Sequence, residues 1–477
     1  MVLSRLLGDT AMSEKIALET LEFDPMDFAA TKETDSNKLA LLLRNDPHNY
    51  MALAQAYAEL GQYQEAVNIL QKYVKNNENP YAMAYYMLAD CLSNLNDPSA
   101  EDIRKKAAQT DSSYCFPNML EEYLILNRAV KANPKDSNAY YYIGLFLYDK
   151  RRYSDAKTAW ETSAELNPNF PTVHRNLALY HTNKMNDYAK ARKSLEKAFE
   201  LNKNDARVFY ELCELHKKIG TPFAEVVKLM EAHKNLIDIR DDLTVIYAEV
   251  LNGLGKHNQV VDLLMNRTFH PWEGGEGKIP TQHIEARLGI ARKLIAEGQH
   301  AKAVEHLEKA TVYFPNFGEG KLTGAQENNI YYTMGLTYKK LDPQKAKECF
   351  KKASVGLSEP AGTMYYNDQP PHMIYYQGAA LAALGDEEAA RACFYKLISY
   401  GEKHIFEKQI MDYFAVSLPD FLVFETDLDE KNKIHCNYMM GLGYLGLGEK
   451  VKAKEYFEAV LELAPWHYGA LSHSGMM

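Results

Sequence analysis

No C-x2-C pair occurs in this 477-residue chain, whose six cysteines, Cys91, Cys115, Cys213, Cys349, Cys393 and Cys436, stand singly. That spacing argues against a zinc ribbon or a disulfide framework and leaves the thiols as reduced packing groups. No apolar run reaches the roughly 18 residues a membrane helix needs. Met1 to Gly8 also lacks the apolar core of about 7 to 15 residues found in a secretory signal, so a cytoplasmic location is expected. A basic footprint is missing too. With 54 Lys and Arg against 64 Asp and Glu, the net charge is -10, the reverse of what a nucleic-acid binder shows.

Chemical motifs are equally scarce. There is no G-x-S-x-G elbow for a serine nucleophile. The run GGEGK at Gly274 to Lys278 lacks the spacing and the strand-to-helix context of a phosphate loop. His270, His283, His372 and His404 have no H-E-x2-H or C-x2-C spacing to support them as ligands, so neither a metal nor a cofactor is expected.

What the chain does have is a repeat. Small residues stand at Ala54, Ala89, Gly144, Ala178, Cys213, Ala248, Ala291, Gly335, Gly378 and Gly441, with separations of 35, 55, 34, 35, 35, 43, 44, 43 and 63 residues. The fullest copies read Tyr140, Ile143, Gly144, Leu147, Ala156, Trp160, Pro168 and Met440, Gly441, Tyr444, Gly448, Ala453, Phe457, Pro465. Ile143, Gly144 and Leu147 share one helical stripe, and the glycine lets a second helix bearing Ala156 and Trp160 approach closely. Polar turns such as Gly61 with Gln62 and Gly385 with Asp386 separate the two helices, and Pro134, Pro168 or Pro315 follows the second.

This pattern resembles the tetratricopeptide repeat over nearly the whole chain. The resemblance implies an all-α, right-handed superhelical solenoid of about ten helical pairs, with a concave wall made by the first helices. Residues 1–265 are expected to hold regular repeats, with an elaborated unit at 97–133, where Pro98 to Cys115 and Leu120 to Ala132 both read as helical. Residues 266–477 hold expanded repeats and a short C-terminal cap around Trp466, Tyr468 and Leu471, with a frayed tail from Ser472. At the start, Leu3, Leu6, Leu7 and Gly8 resemble the last turn of a first helix, and Ala17, Leu21 and Pro25 fit the second. The array is thus expected to begin in mid-repeat, as a piece of a larger parent or a truncated relative would.

Four long insertions follow second helices in the expanded half: 267–282, 316–325, 358–371 and about 404–433. Insertions at equivalent places project from one side of a stacked array, which is often the binding side. They hold Phe269, Trp272, Phe317, Tyr365, Tyr366, Phe421 and Phe424 among Glu273, Glu276, Glu319, Asp368, Asp420, Glu425 and Asp427. Aromatic faces beside carboxylates suit a protein partner or a sugar, and they equally suit plugs that fill a widened groove while the acids stay in water. Candidate binding residues are His270, Trp272, Glu273, Glu276, Lys278, Tyr365, Tyr366, Asp368 and Asp420 on the loop rim, with Tyr141, Tyr148, Arg175 and Tyr332 facing the groove. Tyrosine, at 33 residues, supplies stiff apolar bodies with polar tips for such a surface.

The segments HPWEGGEGK, YYNDQPPHMIYYQGAALAALG and SLPDFLVFETDLDEKNKIHCNYMMGLGYLGLG also resemble a bacterial family. In that family an N-terminal β-sandwich similar to galactose-mutarotase-like domains precedes a C-terminal tetratricopeptide region. The resemblance covers roughly residues 1 to 470 and implies a link with carbohydrate metabolism and a possible glycan or β-sandwich partner. The function class expected is a non-catalytic scaffold that recognises a protein or peptide, with an accessory half of a carbohydrate-active enzyme as the alternative. No nucleic acid or membrane is expected as partner.

Overall fold

In the computed structural model the chain is helical, with no strand among the described residues, which are all except 273, 364–368, 411–422 and 476–477. It divides into two compact units, Met1–Tyr180 and His181–Met477. The first unit opens with α1 (Val2–Leu6), α2 (Thr10–Phe23), α3 (Phe28–Thr34) and α4 (Ser36–Leu43). Two hairpins follow, α5 (Pro47–Glu59) with α6 (Tyr63–Lys75) and α7 (Ala82–Asn94) with α8 (Ala100–Gln109). Helix α9 (Leu120–Ala132) then packs against both α7 and α10 (Ser137–Asp149), which pairs with α11 (Tyr153–Leu166). The elaborated segment is therefore two separate helices, α8 and α9.

The division between units falls within α12 (Pro171–Met185). The second unit continues with α13 (Tyr188–Leu201), α14 (Ala206–Lys218), α15 (Phe223–Ala232) and the single turn α16 (Lys234–Ile237). Its hairpins are α17 (Asp241–Gly253) with α18 (His257–Met265), α19 (Lys278–Ala296) with α20 (His300–Ala310), and α21 (Asn328–Tyr338) with α22 (Pro343–Ala353). Two more are α23 (Met373–Leu384) with α24 (Glu387–His404) and α25 (Leu428–Gly446) with α26 (Lys450–Leu463), and α27 (Tyr468–Ser474) ends the unit. Residue 265, after which expanded repeats are expected, ends α18 inside this unit and is not a division between the units.

Short polar residues start many of these helices. Asp46, Asp136, Asp187, Asp205, Asp342, Asp386 and Asp427 each accept a hydrogen bond from a backbone N–H of the first turn they cap. Such a cap stabilises a helix by about 1 kcal/mol. Asp136 does more: its carboxylate also accepts from the Tyr86 hydroxyl at 3.0 Å, tying α10 to α7.

The hairpins close where the small residues predict. A Cβ added at Gly144 would lie 2.2 Å from the Trp160 ring, and at Gly335, Gly378 and Gly441 it would lie within 2.6 Å of Phe350, Phe394 and Phe457. Glycine on the first helix therefore makes room for an aromatic ring on the second. Ala54, Ala89, Ala178, Cys213, Ala248 and Ala291 occupy the matching buried places. All six cysteines are free thiols, four of them buried, and none pairs.

Candidate binding surface

The predicted groove residues are placed unequally. Tyr141 is 4% exposed, with its ring 4.8 Å from Phe170 and 5.3 Å from Tyr142, so it packs inside the first unit instead of facing solvent. Burial pushes its hydroxyl up to about 12, with Arg175 opposing. Tyr148 is half-buried against Tyr153 and Trp160, and Arg175 is also half-buried. In the second unit Tyr332 is half-buried, with Phe350 and Tyr376 each at 6.0 Å.

Among the rim residues, His270 has an 83% exposed side chain, while Glu276 and Lys278 are exposed. Trp272 is half-buried, its indole lying over Gly275 so closely that a Cβ there would meet it at 2.1 Å. Glu273, Tyr365, Tyr366, Asp368 and Asp420 lie outside the described residues.

The first two insertions brace each other. The Phe269 N–H donates to the Asn316 carbonyl at 2.8 Å, and Asn316 Nδ2 donates to the carbonyls of Leu264 at 2.8 Å and Arg267 at 2.7 Å. The Gly277 N–H donates to Glu319 Oε2 at 2.9 Å. Phe269 and Phe317 are buried under these bonds, so these two aromatics fill space between hairpins. Beneath the first loop, Asp241 accepts from the His270 N–H at 2.9 Å and pairs with Arg267 at 2.5 Å. Burial alone would raise the Asp241 carboxyl, but the His270 amide and Arg267 together hold it below the usual range. The loop and these residues line an open cavity of about 570 Å³.

A second surface runs along the first helices of the hairpins in this unit. Lys217 on α14 donates to Glu249 on α17 at 2.7 Å. Glu214 lies one turn before Lys217, and burial raises its carboxyl while Lys217 and Lys278 oppose and Glu249 adds to the rise. Glu285 on α19 is raised by burial in the same way, opposed by Arg292 two turns further along the same face. Both glutamates are half-buried, and neither makes a hydrogen bond or ion pair among the described residues. The fields of Glu285 and Arg292 reach Tyr376 on α23 and Tyr468 on α27. These side chains mark one charged face along the first helices, termed the inner face, where burial displaces water from the two carboxylates and Lys217, Lys278 and Arg292 act on them without bonding them.

The C-terminal segment lies against the same region. Trp466 Nε1 donates to the Thr221 carbonyl at 2.9 Å, and its ring sits 4.6 Å from Phe223. Arg292 donates to Ser472 Oγ at 3.1 Å. His473 Nε2 meets the Tyr376 hydroxyl at 2.9 Å, and its Nδ1 meets the Tyr438 hydroxyl at 3.2 Å. The expected short capping turn is α27, and the tail predicted to fray from Ser472 is helical to Ser474. Nearby, the Glu425 N–H donates to Asn183 Oδ1 at 3.0 Å, and Glu425 pairs with Lys184.

Sequence reasoning missed Glu214, Lys217, Glu249, Glu285 and Arg292, because a glutamate or lysine on a helix ordinarily reads as a solvated face. Among the described residues, no three His, Cys, Asp or Glu side chains converge as a metal site, and no helix is long and apolar enough to cross a membrane.

Tetratricopeptide repeat profiles match residues 51–101, 125–171 and 147–205, and another matches 434–465. Solved structures of similar proteins include PilF of Pseudomonas aeruginosa, at 19% identity over 46% of this chain and 89% of that one, with a TM-score of 0.28. MamA of Desulfovibrio magneticus RS-1, from residue 41 to its end, shares 23% identity over 41% of this chain and 96% of its own, with a TM-score of 0.19. The glycine-on-aromatic hairpins and the matched segments together make this chain an all-α solenoid of tetratricopeptide type.

Proposed function

We propose that the chain is a non-catalytic scaffold that holds an extended segment of a protein partner on the inner face of its second unit. The observation that carries this reading is the pair of half-buried, raised carboxyls, Glu214 and Glu285, which make no hydrogen bond or ion pair among the described residues. A lysine or arginine from the partner supplies a cation that bonds them. The exposed His270, Glu276 and Lys278, with Trp272, extend the contact along the neighbouring loop. Tyr332, in the same unit, contributes where its edge is exposed.

The test is affinity capture from the native lysate with the parent, Glu285→Lys and Trp272→Ala, read by mass spectrometry beside melting curves. A defined protein with a basic segment, recovered by the parent and lost with Glu285→Lys at unchanged melting temperature, supports the inner face. Equal recovery by parent and Glu285→Lys refutes it. Loss with Trp272→Ala alone moves the contact to the loop. Turnover of aryl glycosides by the purified chain would overturn the non-catalytic reading.

A further inference from the structure

The C-terminal segment makes an unusual set of contacts for the end of a solenoid. A terminal helix ordinarily rests on the repeat before it, because each repeat touches only its neighbours. Here Trp466 reaches a carbonyl 245 residues away in sequence, in the turn between α14 and α15. Pro465 closes on Gly220 in the same turn so tightly that a Cβ there would lie 2.7 Å from its ring. Ser472 then takes a hydrogen bond from Arg292 on α19, and His473 takes one from Tyr376 on α23.

Each of these partners belongs to the inner face or borders it. Ala470 is buried in the core of the α25–α26 hairpin, and beyond that hairpin the segment engages the face through one buried aromatic anchor and a few side-chain hydrogen bonds, as a short bound peptide does. Its helix, α27, has seven residues, too few to persist without a surface to lie on. It is tethered through α26, so its local concentration at the face is on the order of millimolar, enough to exclude a weak competitor.

We infer that residues 465–475 are an intramolecular ligand of the inner face, which a partner must displace to bind. This rests on the reading of that face as the partner's site. The segment gives the face a default occupant: Tyr468 covers the surroundings of Glu285, and Ser472 engages Arg292. A partner with a basic group for Glu285 gains a charge pair that the segment does not offer, since residues 465–475 contain no lysine or arginine.

The test uses the full chain and a fluorescent peptide of residues 464–475 added in trans. Trp466→Ala removes the anchor, and the peptide is expected to bind that variant at least tenfold more tightly than it binds the parent. Amide hydrogen exchange in the parent is expected to show α27 opening at least tenfold faster than α25 and α26. Equal peptide binding by variant and parent overturns the inference, as does an α27 protected to the same degree as α26. If Trp466→Ala loses helical signal, Ser472→Ala takes its place, because it removes one hydrogen bond from the segment and leaves both the face and the anchor intact. Partner capture reads Glu285→Lys and the trans peptide reads the segment, so failure of the one is distinguishable from failure of the other.

Discussion

Lowering the pH tests the packing around α27 through His473, which is 4% exposed. The Gly469 carbonyl, 2.6 Å from Nδ1, can only accept, so Nδ1 carries the proton and Nε2 accepts from the Tyr376 hydroxyl. The neutral ring is thus fully satisfied. A second proton at Nε2 would force the Tyr376 hydroxyl from donor to acceptor, and it meets Arg292 on α19 and His467 on its own segment, while Tyr375, Tyr376 and Tyr438 face it from α23 and α25. Burial first, then Arg292 and His467, lower the His473 pKa from 6.5 to about 4, against the opposing Gly469 carbonyl. The folded state therefore binds fewer protons than the unfolded state between those values. Stability is fully present above about pH 6.5, falls as pH drops through that window, and stops falling near the folded value. For one such group, linkage removes about 1.3 kcal/mol between about pH 7.5 and about pH 5.5. The assay is urea unfolding of the parent and of His473→Gln at both pH values, following the transition of the second unit. Glutamine keeps an acceptor for Tyr376 but does not titrate, so the parent is expected to lose about 1.3 kcal/mol more than the variant over that interval. If both chains lose the same amount, His473 is not held neutral by its surroundings and the reasoning fails.

Three other substitutions test the packing elsewhere. Gly144→Ala places a methyl within 2.3 Å of the Trp160 indole, and the overpacking is expected to cost about 1–3 kcal/mol in thermal unfolding. Gly385→Ala, at φ +94° with open space around it, bears only the backbone cost of about 1–2 kcal/mol, so a Gly144→Ala chain as stable as the parent would show that the hairpin contact is looser than described. Asn316→Ala leaves the carbonyls of Leu264 and Arg267 without their donor and is expected to cost about 1–3 kcal/mol while exposing the loop after α18 to protease. Unchanged cleavage would show that the two insertions hold their shape independently.

The repeat was legible because close approach constrains residue type locally. Gly144 with Trp160 and Gly441 with Phe457 can be read from spacing alone, since only a small residue fits beneath those rings. The insertions were legible in position but not in use. Phe269 and Phe317 stand among carboxylates much as Trp272 does, yet the Asn316 bonds turn the two phenylalanines inward while His270 stays in water. Composition cannot distinguish these cases, because the deciding contact joins loops about fifty residues apart. Tyr141 misled for a related reason: its register on α10 marks a face, and only the place of Phe170 shows that this face is covered.

The inner face was illegible for a stronger reason, which bears on how the second unit holds together. Nearest-neighbour stacking makes a solenoid readable as a series of local signals, and it also makes its stability a sum of adjacent interfaces. Thr221 with Trp466, Arg292 with Ser472 and Asn183 with Glu425 lie outside that series, and no spacing rule links them. Where such bonds exist, loosening the C-terminal end must also release the turn between α14 and α15, beside Lys217 and its partner Glu249. On the inference that residues 465–475 occupy the inner face, opening of α27 and exposure of that face are one event, so the segment least tied to the repeat pattern would govern access to it.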